Sequence, residues 1–432
     1  MQVTQEQVHD IINSNDGNQN VYIASFSEIK STSYRCAFTN SRIVFAMSSR
    51  TRDRRNSYTA SSKSYRIALS EADRAYLLLI SPLPPSHPQP GSATPPVPIT
   101  LPALSILLSK ILDNTAVPVP RPVAHDVSGG EGKWHFGWLL LRVTGPSQTH
   151  PPTSLASIRH QLSPRQLARV ELRLGTYLRA LHGITNDWFG IPMDKPTPDP
   201  PSVPSLATLF PAGQTGGDGE GDGEDMTPYS WQDTFVLHLE ELLEQVCGDA
   251  EARKTAPSGY MVDIDVDELR RSLCRAIGSF LFDDVEMPRL VWVTGNEEDV
   301  IVSLIPRQDR KQGGDGTTSD DDTADIAYIL PTFEHALWGD PLMEALFLPP
   351  GPTTAISEGY FGGEEDGALI VFPRHKTKRT WYTVYMALLV LAEEMSQGEG
   401  EKTTRASERE AIQWARSILP ECVEILKNAP CY

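Results

Sequence analysis

Residues 326–346 read IAYILPTFEHALWGDPLMEAL. The apolar run Ile326–Leu330 has the length and composition of a buried strand, and Pro331 ends it because proline cannot donate to a strand ladder. Phe333-Glu334-His335-Ala336 follows, and Gly339-Asp340-Pro341 then marks a turn into a new helix. Upstream, a second apolar run at Val300–Val302 is the natural partner of this strand. Each run is preceded by acid: Asn296-Glu297-Glu298-Asp299 before the first, and Ser319-Asp320-Asp321-Asp322-Thr323-Ala324-Asp325 before the second. The breaker-rich stretch Gly313–Asp322 reads as a hairpin loop between them. The alternatives for its acids are a solvated loop, or a metal or cation site built on Asp321, Asp322 and Asp325.

A chain of 432 residues with 40% hydrophobic and 22% charged residues is long enough for one bilobed unit or two domains with a sizeable core. Its net charge of -18 argues against a broad nucleic-acid or anionic-membrane surface, which needs clustered Lys and Arg. The 5 cysteines are scattered, odd in number and without CxxC spacing, the usage of a reducing compartment. No signal-peptide pattern opens the sequence. The longest apolar run, Met386–Ala392, falls far short of the roughly 20 residues of a membrane helix. The expectation is a cytoplasmic protein with no membrane partner.

Outward from the opening stretch, short strands are expected at Val21–Phe26, Tyr34–Phe38, Arg42–Met47, Ala75–Ser81 and Trp138–Val143. A helix is expected at Leu101–Leu112, where Leu104, Leu107, Leu108 and Ile111 share a face. Ser163-Pro164-Arg165-Gln166 is a helix start with a capping box, and Leu167, Val170, Leu174, Leu178 and Leu181 continue it to His182. Further helices are expected from Ser230 to Val246, Val266 to Phe282, Trp381 to Glu394 and Arg405 to Leu419, the last with a short tail to Leu426. The basic run Arg374–Arg379 reads as a solvated lead-in or a site for an anionic or RNA ligand. Gly216–Asp225 alternates glycine with acid. It lacks the spacing of a calcium loop and reads as a flexible insert.

The stretch Thr332-Phe333-Glu334-x-Ala336-x-x-Gly339-Asp340-Pro341 resembles the end of the catalytic core in the aminoglycoside phosphotransferase and choline kinase-like family, particularly its fungal branch. Asn114–Pro122 is similar to that family's run into the interlobe hinge, and the helix ending at His182 is similar to its first large C-lobe helix. The resemblance implies an α+β, protein-kinase-like bilobal fold. A small β-rich N-lobe would span residues 1–118 with a Pro/Ser insert at 82–98. A larger, mainly helical C-lobe would span 119–432, with disordered inserts at 192–228 and 309–322.

Such kinases position phosphates and magnesium with carboxylates and a strand lysine. At the positions the resemblance assigns, this chain carries other residues. Leu79 stands at the strand lysine, and no acid occurs from Thr100 to Ser109, where the partner glutamate belongs. Thr294 stands at the catalytic Asp, Asp299 at the Asn, Thr332 at the metal-binding Asp, and Trp292 where a His is common. No glycine lies between Asn18 and Pro90 to let backbone approach phosphate. The implied function is a catalytically degenerate member that binds a small-molecule metabolite or a protein partner in the interlobe cleft, with no cofactor. Its candidate residues are Asp321, Asp322, Asp325, Asp299 and Glu334. His182 reads either as a base or as a structural helix-end histidine. The alternatives are a secondary-metabolism enzyme running non-phosphoryl chemistry, for example of the arginine-containing cyclodipeptide synthase type, or a residual phosphotransferase with relocated metal ligands and Mg-ATP.

Overall fold

Period-two alternation builds the N-terminal sheet. In the computed structural model, Tyr65, Ile67, Tyr76, Leu78, Ile80, Trp138 and Leu140 are buried on one face, while Leu77, Leu79, Leu139, Leu141 and Val143 are buried on the other. The structure describes residues 3–15, 22–29, 63–69, 74–83, 99–128, 134–144, 153–193, 230–248, 264–305, 323–348, 351–362, 373–396 and 406–430. Among these, strands β1 (Ile23–Ile29), β2 (Lys63–Leu69), β3 (Arg74–Pro82), β4 (Arg121–Asp126) and β5 (Phe136–Thr144) form one antiparallel sheet in the order β1-β2-β3-β5-β4. Helix α1 (Gln5–Asn15) covers the first face with Val8, Ile11 and Ile12, which lie at helical spacing. Sequence reading missed α1 and β2. The expected strands Tyr34–Phe38 and Arg42–Met47 lie outside the described residues, as do Gly216–Asp225 and nearly all of the expected inserts.

Helix α2 (Leu101–Asn114) covers the second face. Thr100 caps it by accepting from the Ala103 N–H, and Leu104, Leu107, Leu108 and Ile111 are buried beneath it. It lies between β3 and β4 in the chain, and four contacts tie it and its flanks to the C-terminal part. The Ile99 N–H donates to Glu334 O at 2.9 Å, and the Ile329 N–H donates to Pro118 O at 2.8 Å. Lys110 Nζ donates to Thr185 O at 3.1 Å and stands 4.5 Å over the Trp338 ring, a cation–π contact.

The remainder is mainly helical around two short sheets. Strand β6 (Thr153–Ser154) leads into the short helix α3 (Leu155–Ile158), and the long helix α4 (Pro164–His182) starts with the expected capping box at Ser163 and Gln166. Helices α5 (Trp231–Cys247) and α6 (Val266–Gly278) follow, α6 ending four residues before Phe282. Strands β7 (Arg289–Val291), β8 (Val300–Ile305), β9 (Thr323–Ile329) and β10 (Leu337–Gly339) pair as β6-β8-β9 and β7-β10. The β8–β9 hairpin is the strand pair read from the sequence. Gly339-Asp340-Pro341 opens only a single 3₁₀ turn, Pro341–Met343, capped by Asp340.

Helices α7 (Thr354–Phe361), α8 (Pro373–Ser396) and α9 (Ala406–Lys427) complete the chain. Gly175 and Gly359 set the close approach of α4 and α7: a Cβ on Gly175 would collide with Ile356 O, and one on Gly359 with Leu172 O. Helix α8 is buried almost all round from Trp381 to Ala392, which makes it the central helix of a core shared with α5, α6 and α9. The expected α+β class, a small β-rich part followed by a larger, mainly helical one, is the observed architecture. The expected start of this helix at Trp381 is corrected: it begins at Pro373 and absorbs the basic run.

Candidate functional site

The site is built by the β8–β9 hairpin and the two loops at its end. Val300 pairs with Ile329, so the residues just before β8 face those just after β9. The Leu330 N–H donates to Asp299 O at 2.8 Å and fixes that juxtaposition. Asp299 and Thr332, separated by more than thirty residues of sequence, thereby become neighbours.

Asp299 is buried, and its Oδ2 accepts the Asn296 N–H at 3.2 Å. Its carboxyl is pushed up to about 8, chiefly by burial, and further by the carboxylates of Glu334 and Glu298. The Asn296 N–H and the Thr332 hydroxyl act in the opposite direction without prevailing. At neutral pH Asp299 is therefore mostly a neutral acid. Glu334 is half-buried and also raised, first by burial and then by Glu393, with His335 opposing. Burial lowers the His335 imidazole, but the contact of its Nε2 with Glu393 Oε1 at 2.6 Å and the charges of Glu393 and Glu334 together hold it above its usual value.

Trp292 and Val293 form the floor. The Trp292 N–H donates to Glu344 Oε2 at 3.1 Å, and the indole Nε1–H donates to Thr332 O at 2.7 Å while the ring stacks on Phe333 at 5.4 Å. Val293 has φ of +67°, rare for a β-branched residue, and the Thr294 N–H donates to Trp292 O at 2.9 Å across it. Such a conformation costs about 1–3 kcal/mol and persists only where its surroundings over-determine it. The Ala345 N–H supplies one restraint by donating to Val293 O at 3.0 Å.

The other expected residues are placed apart. Asp325 lies opposite Ser303 in the ladder, which sets it about 13 Å along the strand from Ile329. Its Oδ2 meets Arg173 Nη2 at 3.4 Å and its Oδ1 accepts the Ile326 N–H. It does not join Asp299 and Glu334. Asp321 and Asp322 lie outside the described residues. Glu297 meets Arg159 at 2.6 Å, and Arg159 in turn holds Glu171. Leu79 is buried in the same apolar cluster as Leu104, Trp292, Leu330 and Phe333. His182 is buried against the Tyr360 hydroxyl, 2.7 Å from Nδ1, and Glu344, 3.4 Å from Nε2. Its structural reading is the one this enclosure favours.

Sequence reading missed the buried cations of α8. Lys378, 2% exposed, places Nζ 2.6 Å from both Asp340 Oδ2 and Asp284 Oδ1. The Tyr382 hydroxyl donates to the same Asp340 oxygen at 2.7 Å, and Trp231 Nε1 donates to Tyr382 at 2.9 Å. A signal was present: Lys378 precedes Tyr382 and Tyr385 by one and two turns, on one helical face.

Among the described residues, no group of three or more His, Cys, Asp or Glu is arranged to hold a metal ion, and no helix is long and apolar enough to cross a membrane. No protein-family model matches the chain, and no curated protein matches it in sequence. The solved structures that resemble it include two with near-complete coverage of this chain. One, assigned as an aminoglycoside phosphotransferase from Ralstonia eutropha JMP134, is 10% identical with a TM-score of 0.49 and coverage of 99% of this chain and 100% of that one. The other, a choline kinase from Cryptosporidium parvum Iowa II, is 10% identical with a TM-score of 0.40 and coverage of 99% and 98%.

Proposed function

We propose that this chain is a catalytically degenerate, aminoglycoside phosphotransferase-like protein that binds a small metabolite or a partner between its two parts without transferring phosphate. The observation that carries the reading is the join between the two loops: the Trp292 indole donates to Thr332 O at 2.7 Å and its ring stacks on Phe333, where the resemblance assigns a metal-binding carboxylate. Asp299 is buried and already accepts the Asn296 N–H, and burial raises its carboxyl, which disfavours the ionised form. The neighbouring positions support the same reading. Thr332 and Thr294 offer hydroxyls where the resemblance assigns carboxylates, and Leu79 offers an apolar side chain where it assigns a lysine. Among the described residues, those at these positions do not fit a magnesium–nucleotide complex.

Binding is supported by the backbone. Val293 holds a strained turn next to Thr294, and strain of this kind clusters at ligand-holding sites. A second reading, non-phosphoryl chemistry, has one observation in its favour: a neutral buried carboxyl can donate a proton at neutral pH. Fungal secondary metabolism would be a fitting setting for either reading.

The test is thermal unfolding of the full chain with Mg-ATP, with EDTA controls. A ligand at 100 times its dissociation constant adds about 2.7 kcal/mol and moves the midpoint by several degrees. No shift at millimolar nucleotide is expected. A magnesium-dependent rise would overturn the degenerate reading.

A further inference from the structure

Two consecutive cations of α8 are buried, and their surroundings differ. Lys378 meets two carboxylates at 2.6 Å. Arg379 is 7% exposed, and among the described residues its Nε and Nη2 have no hydrogen-bond partner. Burial alone acts on its ionisation, with no carboxylate opposing, and lowers it to about 10. The guanidinium thus remains charged at neutral pH. A buried cation without an anion is strongly disfavoured, which is why such groups are paired in folded proteins.

The positions of the unpaired atoms specify what would pair with them. Nε–H and Nη2–H lie on the same edge of the planar guanidinium and point in parallel. That spacing matches two oxygens of one carboxylate or phosphate. Gly351 flanks this edge. Its φ is +98°, and a Cβ on it would stand 4.0 Å from Nη2, an ordinary van der Waals contact, so this turn packs beside the donors. The Gly351 N–H is already committed to Leu348 O at 2.8 Å, which fixes the turn beside the arginine.

We propose that Arg379 anchors an oxyanion site in the helical part of the protein, taking a small carboxylate or phosphate side-on through Nε and Nη2, both of which are enclosed in the folded chain. The site uses none of the residues around Asp299 and stands independently of the function proposed above. The high negative charge of the chain makes it a local exception, so affinity comes from paired hydrogen bonds rather than from a broad basic surface.

The experiment is a titration of the full chain, labelled with ¹⁵N-arginine, with sodium acetate, sodium phosphate and, as control, sodium chloride at matched ionic strength. Comparison with R379K assigns the Arg379 Nε–H resonance. The expected result is a saturable shift of that resonance with acetate or phosphate and none with chloride. A response to acetate alone identifies a carboxylate site, and a response to phosphate alone a phosphate site. In parallel, the unfolding midpoint of the wild type should rise with the active anion, while that of R379M should not. An Arg379 resonance unmoved by either oxyanion, or moved equally by chloride, overturns the proposal. R379K folds with the charge but without the fork, so loss of the anion effect there tests the geometry should R379M fail to fold.

Discussion

The Trp292 indole donates its Nε1–H to the Thr332 carbonyl at 2.7 Å, so the loop before β8 and the loop after β9 are joined by a side chain. The same ring stacks on Phe333 at 5.4 Å. A hydrogen bond and a stack thus hold these two segments together.

Trp292→Phe should keep most of the stack but leave the Thr332 carbonyl without its indole donor. The expected cost is about 1–3 kcal/mol, the penalty for an unsatisfied buried acceptor. Trp292→Ala should cost about 3–5 kcal/mol because a fully buried ring is also removed. Urea midpoints of the two variants check the order; a negligible cost for Trp292→Phe would mean that the hydrogen bond contributes nothing, and equal costs that the ring contributes nothing.

Asp299 gives the stability a defined pH signature. Its native pKa of about 8 lies above the usual carboxylate value of about 4, so between these values the native state holds a proton that the unfolded state has released. The slope of stability with pH from this group is therefore negative: its contribution is intact below about pH 4 and is progressively lost as pH rises through 8. Asp299→Asn cannot ionise and should gain on the wild type steadily across that window. Denaturation curves for both proteins at pH 5 and pH 8 make the comparison. A constant difference would show that Asp299 ionises normally.

Lys378 balances Asp340 and Asp284 inside the helical core. Lys378→Met should cost about 3–5 kcal/mol, since it leaves the buried Asp340 carboxylate without its cation. The double variant Lys378→Met with Asp340→Asn should recover part of that loss, with a coupling of about 0.5–3 kcal/mol measured by a double-mutant cycle. Strict additivity of the two changes would refute the pairing.

The local grammar of this chain was legible in its sequence. Leu104, Leu107, Leu108 and Ile111 announced α2, Ser163 and Gln166 announced the start of α4, and the runs at Val300 and Ile326 announced the β8–β9 hairpin, because helical and strand periodicities are written in neighbouring residues. Leu79, Thr294 and Thr332 could likewise be singled out as uncharged residues at charged positions of the resembling family. Tertiary structure decided the rest. The hairpin register separates Asp325 from Asp299, though both sit in similar acidic runs, because pairing partners are chosen across the sheet and not along the chain. The Arg374–Arg379 run looked like a solvated helix entrance. It is instead enclosed in α8, where Lys378 finds Asp284 and Asp340 from distant segments and Arg379 has no such partner. The charge of a side chain is fixed by its chemistry, but its burial and its counter-ion are set by elements that meet only when the chain folds.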